Sequence, residues 1–308
     1  MQVTSSLDQV LKPSAIALGN FDGLHLGHCQ VIDALRPFAI KENCAVTVVA
    51  FDPHPQAFFS GDSQQLLTPL DEKVAILEAL NVDQLVLLTF DQTLAQLSPQ
   101  DFVEKILVEQ LMARCISVGF NFGFGYQRSG TTTDLDAITT PHNIPVYIAA
   151  PKMTEGAPIS SSAIKAALQE GCLSQAHQML GRPYTLTGTV IHGQHLGATL
   201  GFPTANLKLP SDKFLPSQGV YSVQVSSSSL SQTQIGVLNL GCRPTVNGQT
   251  QIPEVHLLNW SGDLYGQTLT VSLEQYLRPE QKFDSLEALQ TQIQLDCEIV
   301  RSGQASLA

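Results

Sequence analysis

Positive charge is scarce in this sequence. Sixteen Lys and Arg stand against 27 Asp and Glu, a net charge of -11 over 308 residues. A protein that wraps a nucleic-acid backbone needs a basic face, and none is visible, so no nucleic-acid partner is expected. Long apolar runs are absent too. None reaches the roughly 18 residues a membrane-spanning helix requires, and the first ten residues lack a basic-then-apolar signal pattern, so a cytoplasmic protein is expected. The six cysteines are scattered, without a CxxC pair. That spacing argues against a disulfide framework or a structural zinc site and fits a reducing compartment. There is no P-loop lysine motif and no internal repeat. Hydrophobic residues at 43% and charged residues at 14% leave ample material for packed cores, and the length suggests two domains of about 150 residues each.

The first half alternates apolar runs with helical patterns. Ser14–Gly19, Ala45–Phe51, Gln84–Phe90, Cys115–Phe120 and Pro145–Ala150 read as buried strands; 73–80 and 99–112 read as helices. Such alternation predicts a parallel, doubly wound sheet with its ligand beyond the carboxyl ends of the strands. From Tyr184 the texture becomes period-two: TLTGTVI, GVYSVQV, TQIGVLNL, PEVHLLNW and LTVSLEQYL, separated by turn residues. This predicts an antiparallel barrel or sandwich, closed by an amphipathic helix over 285–300. The domain break is expected at 181–183, giving units 1–181 and 182–308. The serines at 226–229 read as a hairpin tip.

Chemistry-bearing residues cluster in a few motifs. GNFDGLHLGH, Gly19 to His28, follows the first predicted strand. Its glycines allow a tight turn. His25 and His28, three apart at a helix start, share a face where free N–H groups and the helix dipole attract phosphate. By itself an HxGH motif reads more readily as two surface histidines; its position after a strand favours a triphosphate seat. Attack on the α-phosphorus of a nucleotide by a phosphate acceptor needs no strong base, so the histidines would stabilise developing charge. Farther along, Ser160, Ser161 and Ser162 are helix-capping types, with Lys165 expected in the first turn behind them. In the second half, PTAN (Pro203 to Asn206) offers Thr204 and Asn206 as hard oxygen ligands for Mg²⁺. Glu254, in PEVHLLNW, is the candidate general base for an alcohol and shares a strand face with His256.

The ordered set GNFDGLHLGH, FDPHP (51–55), VGFNFGFGYQRSG (118–130), ISSSAIKAAL (159–168), LGRPY (180–184), PTAN, NLGCRPT (239–245) and YLRPEQKF (276–283) resembles bacterial bifunctional riboflavin kinase/FAD synthetases over nearly the whole chain. The resemblance implies a Rossmann-like nucleotidyltransferase domain followed by a β-barrel kinase domain. It implies ATP contacts from Gly19, Phe21, Asp22, Gly23, His25, His28, Ser160, Ser161, Ser162 and Lys165 in the first. In the second it implies ATP contacts from Gly197, Gly201, Pro203, Thr204 and Asn206, with Thr204 and Asn206 holding Mg²⁺. Flavin contacts would come from His54, Asn121, Phe122 and Arg128, and from Arg278 and Phe283. Catalysis would rest on Glu254, His25 and His28. Riboflavin, FMN, FAD and ATP are the implied partners, with a monomer or weak homo-oligomer as the assembly. Family members usually carry Thr at the place of Ser162 and Arg at that of Lys165, and cations near Leu196 and Ala198. The first two departures motivate an alternative, a monofunctional riboflavin kinase with a structural or regulatory N-terminal half. A flavin-sensing protein, and transfer of a nucleotide to another phosphate acceptor, complete the alternatives.

Overall fold

The computed structural model describes residues 1–61, 64–193, 196–245 and 248–305. It divides into two compact units, Met1–Ser161 and Ser162–Ala308.

The first unit is an α/β fold around a six-stranded sheet: β1 (Gln2–Thr4), β2 (Ser14–Leu18), β3 (Ala45–Asp52), β4 (Gln84–Thr89), β5 (Ala113–Gly119) and β6 (Val146–Ala149). The strands run β1-β4-β3-β2-β5-β6, and every pairing is parallel. β2 is central, and all five of its residues are buried. A strand covered on both faces reads as a continuous apolar run, which is why SAIAL was legible as one. Two apolar clusters cover the sheet, one holding Ala15, Ala17, Val48 and Leu85, the other Ile16, Leu18, Val49 and Val86. Alternate residues of each strand thus face opposite layers. The order reverses at β2: the chain runs outward through β3 and β4 on one side, then crosses to β5 on the other. Loops diverge at such a point and leave a crevice beyond the carboxyl ends of the strands. The edge strand β1, three residues long, had no sequence signal. A short hairpin, β7 (Met153–Thr154) and β8 (Ala157–Pro158), follows β6.

The second unit is a closed antiparallel barrel of β9 (Thr185–Ile191), β10 (Ala205–Lys208), β11 (Gly219–Ser226), β12 (Gln234–Thr245), β13 (Gly248–Leu257) and β14 (Thr268–Arg278). Closure removes sheet edges and decides between the barrel and sandwich readings. On β12 and β13, Leu238, Leu240, Val255 and Leu257 are buried on the inner face. The alternate residue Val237 faces outward, where it joins Val220 and Leu258 under Ile293, Cys297 and Val300 of the C-terminal helix Leu286–Ala305. The expected hairpin tip at 226–229 is the turn between β11 and β12.

The units part after Ser161, some twenty residues before the change of sequence texture. The helices Ser161–Gln169 and Leu173–Leu180 explain the difference: Ser217 donates its backbone N–H to Leu168 O, so the first of them is tied to the chain that feeds β11.

Candidate active sites

In the first unit the turn after β2 is held by distant partners. Asp22 Oδ1 accepts the backbone N–H of Thr68 at 3.1 Å, and the Thr68 hydroxyl accepts that of Gly23 at 2.9 Å. Ser161 donates its hydroxyl to Asp22 O at 2.8 Å, and Lys73 Nζ donates to Asn20 O at 3.1 Å. The backbone takes positive φ at Phe21 (50°), Gly23 (85°) and Leu24 (42°). Two non-glycine residues in that region mark a strained turn, retained because the surrounding bonds over-determine it.

His25 is the N-cap of the helix Leu26–Asp33 and is only 7% exposed. Its Nδ1 accepts the N–H groups of Gly27 and His28 at 3.1 and 3.3 Å. The expectation that those helix-start N–H groups stand open to phosphate is therefore corrected: the imidazole occupies two of them. The consequence is a fixed tautomer. With Nδ1 accepting, the neutral ring carries its proton on Nε2. The His28 ring stacks on that of His25, 3.7 Å between centroids. A Cβ at residue 27 would stand 3.1 Å from the His25 ring, which explains the glycine of HLGH.

His54 repeats the device. It caps the helix Pro55–Ser60 by accepting Gln56 N–H on Nδ1 at 3.1 Å, so its neutral ring also carries the proton on Nε2. It follows β3, while Asn121, Phe122 and Arg128 follow β5. These are the two neighbours of β2 in the sheet, so the three predicted loops leave the sheet side by side at the reversal of strand order. Phe122 stacks on the buried Phe124, and Arg128, at φ 56°, lays its guanidinium over Gly123. Ser160 is exposed at the head of its helix. Sequence reading missed Thr68, Lys73 and Lys152, the last beside Gly27. Nothing local in the chain announces them, since they lie 45 or more residues from the turn they support.

Ser162 and Lys165 fall in the second unit. Lys165 is the fifth residue of its helix, not in the first turn as expected, and its ammonium lies 5.6 Å above the Phe214 ring.

On the barrel, strand register assembles the site. Asn206 on β10 stands opposite Glu254 on β13, and Glu254 stands opposite Asn239 on β12. Directly opposed residues project on one face, here the outer face that also carries Val237. Thr204 donates its hydroxyl to Glu254 Oε2 at 3.4 Å. His256, two residues along β13, holds Pro203 O at 2.8 Å through Nδ1. Asn206 is 6% exposed, and among the described residues nothing hydrogen-bonds its Oδ1. A buried amide oxygen without a partner is costly, and here it sits beside a hydroxyl and a carboxylate, an all-oxygen set that fits a hard cation. Gly193 leans on this amide: a Cβ there would collide with Asn206. Gly197 is likewise pressed against Phe202 O, and Gly201 has φ 89°. Residues 194–195 lie outside the described part, as do the side chains of Leu196, Ala198 and 242–245 of NLGCRPT.

Arg278 is held by the C-terminal helix. Its guanidinium donates to both carboxylate oxygens of Asp296 on the C-terminal helix, at 2.8 to 3.2 Å, with Phe283 stacked 5.9 Å away. This pair anchors the helix on the barrel. No cluster of three His, Cys, Asp or Glu able to hold a metal occurs among the described residues, and no described helix is long and apolar enough to cross a membrane.

The family model for FAD synthetase matches residues 7–163 and that for riboflavin kinase matches residues 180–303. The chain is 38% identical to the bifunctional riboflavin kinase/FMN adenylyltransferase of Haemophilus influenzae, covering 96% of both chains. The chain belongs to that bifunctional family. The relative of the same name from Escherichia coli K12 is also 38% identical, over 91% of this chain and 90% of the relative. A solved Streptococcus pneumoniae structure, described as a macrolide-efflux protein, matches with TM-score 0.87 and 29% identity, covering 97% of this chain and 98% of the other.

Proposed function

We propose that the chain makes flavin cofactors in two steps. The barrel unit transfers the γ-phosphoryl group of ATP to the ribityl 5′-hydroxyl of riboflavin, giving FMN and ADP. The α/β unit transfers the adenylyl group of a second ATP to the FMN phosphate, giving FAD and pyrophosphate. The observation that carries the reading is the barrel register, which brings Asn206, Thr204 and Glu254 together on one outer face within a chain whose other half bears the capped HLGH turn.

In the first step Glu254 accepts the proton of the attacking hydroxyl on its carboxylate. Thr204 Oγ1 and Asn206 Oδ1 would hold Mg²⁺, which when bound neutralises charge on the ATP phosphates. In the second step a phosphate oxygen of FMN attacks the α-phosphorus and the bond to the β-phosphate breaks. Nε2–H of His25, fixed by its cap, and the stacked His28 donate to the charge that develops on the transferring group and on pyrophosphate. His54 and the Asn121–Arg128 loop would receive the flavin at the strand-order reversal. We read the protein as cytoplasmic and the assembly as a monomer or weak homo-oligomer.

Chromatographic separation of flavins during incubation with riboflavin, excess ATP and Mg²⁺ tests the proposal. FMN should appear first and FAD after it. FMN without FAD, even when FMN is supplied, would reject the second step; no product from folded protein would reject both.

A further inference from the structure

The geometry points to His256 as a positioning residue for the phosphoryl-transfer site. It sets the direction of Thr204 and Asn206 by holding the backbone of the segment that carries them.

This rests on the kinase reading of the barrel. His256 and Glu254 are alternate residues of β13, opposite Val237 and Asn239 respectively, so both project from the outer face. The Pro203 carbonyl can only accept, so the 2.8 Å contact requires the proton of His256 to sit on Nδ1. That is the reverse of His25 and His54, whose Nδ1 atoms accept. The His256 ring also meets Phe202 edge-on, 5.6 Å between centroids at 86°. One strand face thus grips two consecutive residues: His256 takes the Pro203 carbonyl and Glu254 takes the Thr204 hydroxyl. Two residues later Asn206 enters the ladder opposite Glu254, with its buried Oδ1 open. Pro203 has no N–H to anchor it from its own side. The donated bond from His256 therefore fixes the plane of the peptide that leads into Thr204. Without it the Thr204 hydroxyl and the approach to Asn206 have one fewer constraint, and the oxygen set loses preorganisation rather than a ligand.

Leu and Asn have nearly the same shape, but only Asn can donate to Pro203 O. The test compares His256→Leu with His256→Asn in the full chain. Two readouts serve: calorimetric binding of ADP with and without Mg²⁺, and the ATP and Mg²⁺ dependence of FMN formation. His256→Leu should weaken Mg²⁺-dependent ADP binding about tenfold, the weight of one hydrogen bond. It should raise the KM for ATP and the half-saturating Mg²⁺ concentration more than it lowers kcat. His256→Asn should stay within about threefold of wild type. FMN adenylylation, in the other unit, should be unchanged in both. If His256→Leu does not fold, His256→Phe keeps a ring against Phe202 without the donor and should lose binding as Leu does. Unchanged Mg²⁺-dependent ADP binding in a folded donorless variant would overturn the inference. So would equal loss in Asn and Leu variants that still adenylylate FMN, since packing alone would then matter. Wild-type protein that binds Mg²⁺ and ADP but forms no FMN would sink the kinase reading, while the binding comparison would still judge His256.

Discussion

In the α/β unit the chemistry-bearing side chains stand on loops; in the barrel they stand on, or lead into, strands. The loop residues are aimed by helix capping. His25 and His54 each use Nδ1 to take backbone N–H groups, which leaves Nε2–H directed away from the cap. The barrel residues are aimed by ladder register, with Asn206, Glu254 and Asn239 in one row. Capping is local and can be written in five residues of sequence. Register is collective and depends on every pairing around a closed sheet. The first strategy fixes imidazoles at a turn; the second fixes a row of polar side chains on one strand face.

The largest expected effect is on the strand side. Glu254→Gln should lower FMN formation about 10³-fold, the range of a lost general base, with FMN-to-FAD conversion retained. Normal phosphorylation by that variant, read from the flavin time course, would reject the base assignment. On the loop side, His28→Ala should depress FAD formation about 10²-fold and spare riboflavin phosphorylation. Equal loss of both activities would show that the two units do not work independently. Asp296→Ala removes the partner of Arg278 at a site where the carboxylate side chain is 3% exposed. The barrel should lose about 3 kcal/mol of stability in denaturant titrations, while the α/β unit keeps its own midpoint. A common shift of both midpoints would mean that the units unfold together.

The remaining effect appears only in alkali. Burial pushes the Cys115 thiol up to about 12 from 9.0, with Cys44 adding to the shift, and the Tyr221 hydroxyl up to about 12 from 10.0. Both values are raised, so the stabilisation is complete below the unfolded value and is lost as pH climbs toward about 12. The α/β unit, which holds Cys115, should begin to weaken near pH 9, and the barrel, which holds Tyr221, nearer pH 10. The chain has one tryptophan, Trp260, in the barrel unit, so its fluorescence follows the barrel while far-ultraviolet dichroism follows the whole. Coincident transitions by the two probes would break the distinction.

Much of this was legible in the chain itself. The central strands announced themselves because a strand buried on both faces must be apolar throughout, and the barrel strands because alternation follows the pleat. GNFDGLHLGH predicted a turn and a helix start because glycine and capping chemistry act over a few residues. Other features were silent. β10 was not foreseen, since four residues after a proline carry too little pattern. Nor was the assignment of helices Ser161–Gln169 and Leu173–Leu180 to the barrel unit, because amphipathicity tells a helix to bury a face without naming its partner. The Arg278–Asp296 pair, eighteen residues apart, had no sequence signal either.

The division follows the range of the forces involved. Sequence by itself determined strand and helix type, the two-part organisation and the turn glycines, all of which depend on local periodicity and intrinsic chemistry. Only the tertiary structure decided that Thr68 would brace a turn 45 residues away, that a closed barrel would set Asn206 against Glu254, and that the Nδ1 of His256 would meet Pro203 O, 53 residues away. Those outcomes depend on which distant backbone groups come within hydrogen-bonding reach once the chain has closed on itself.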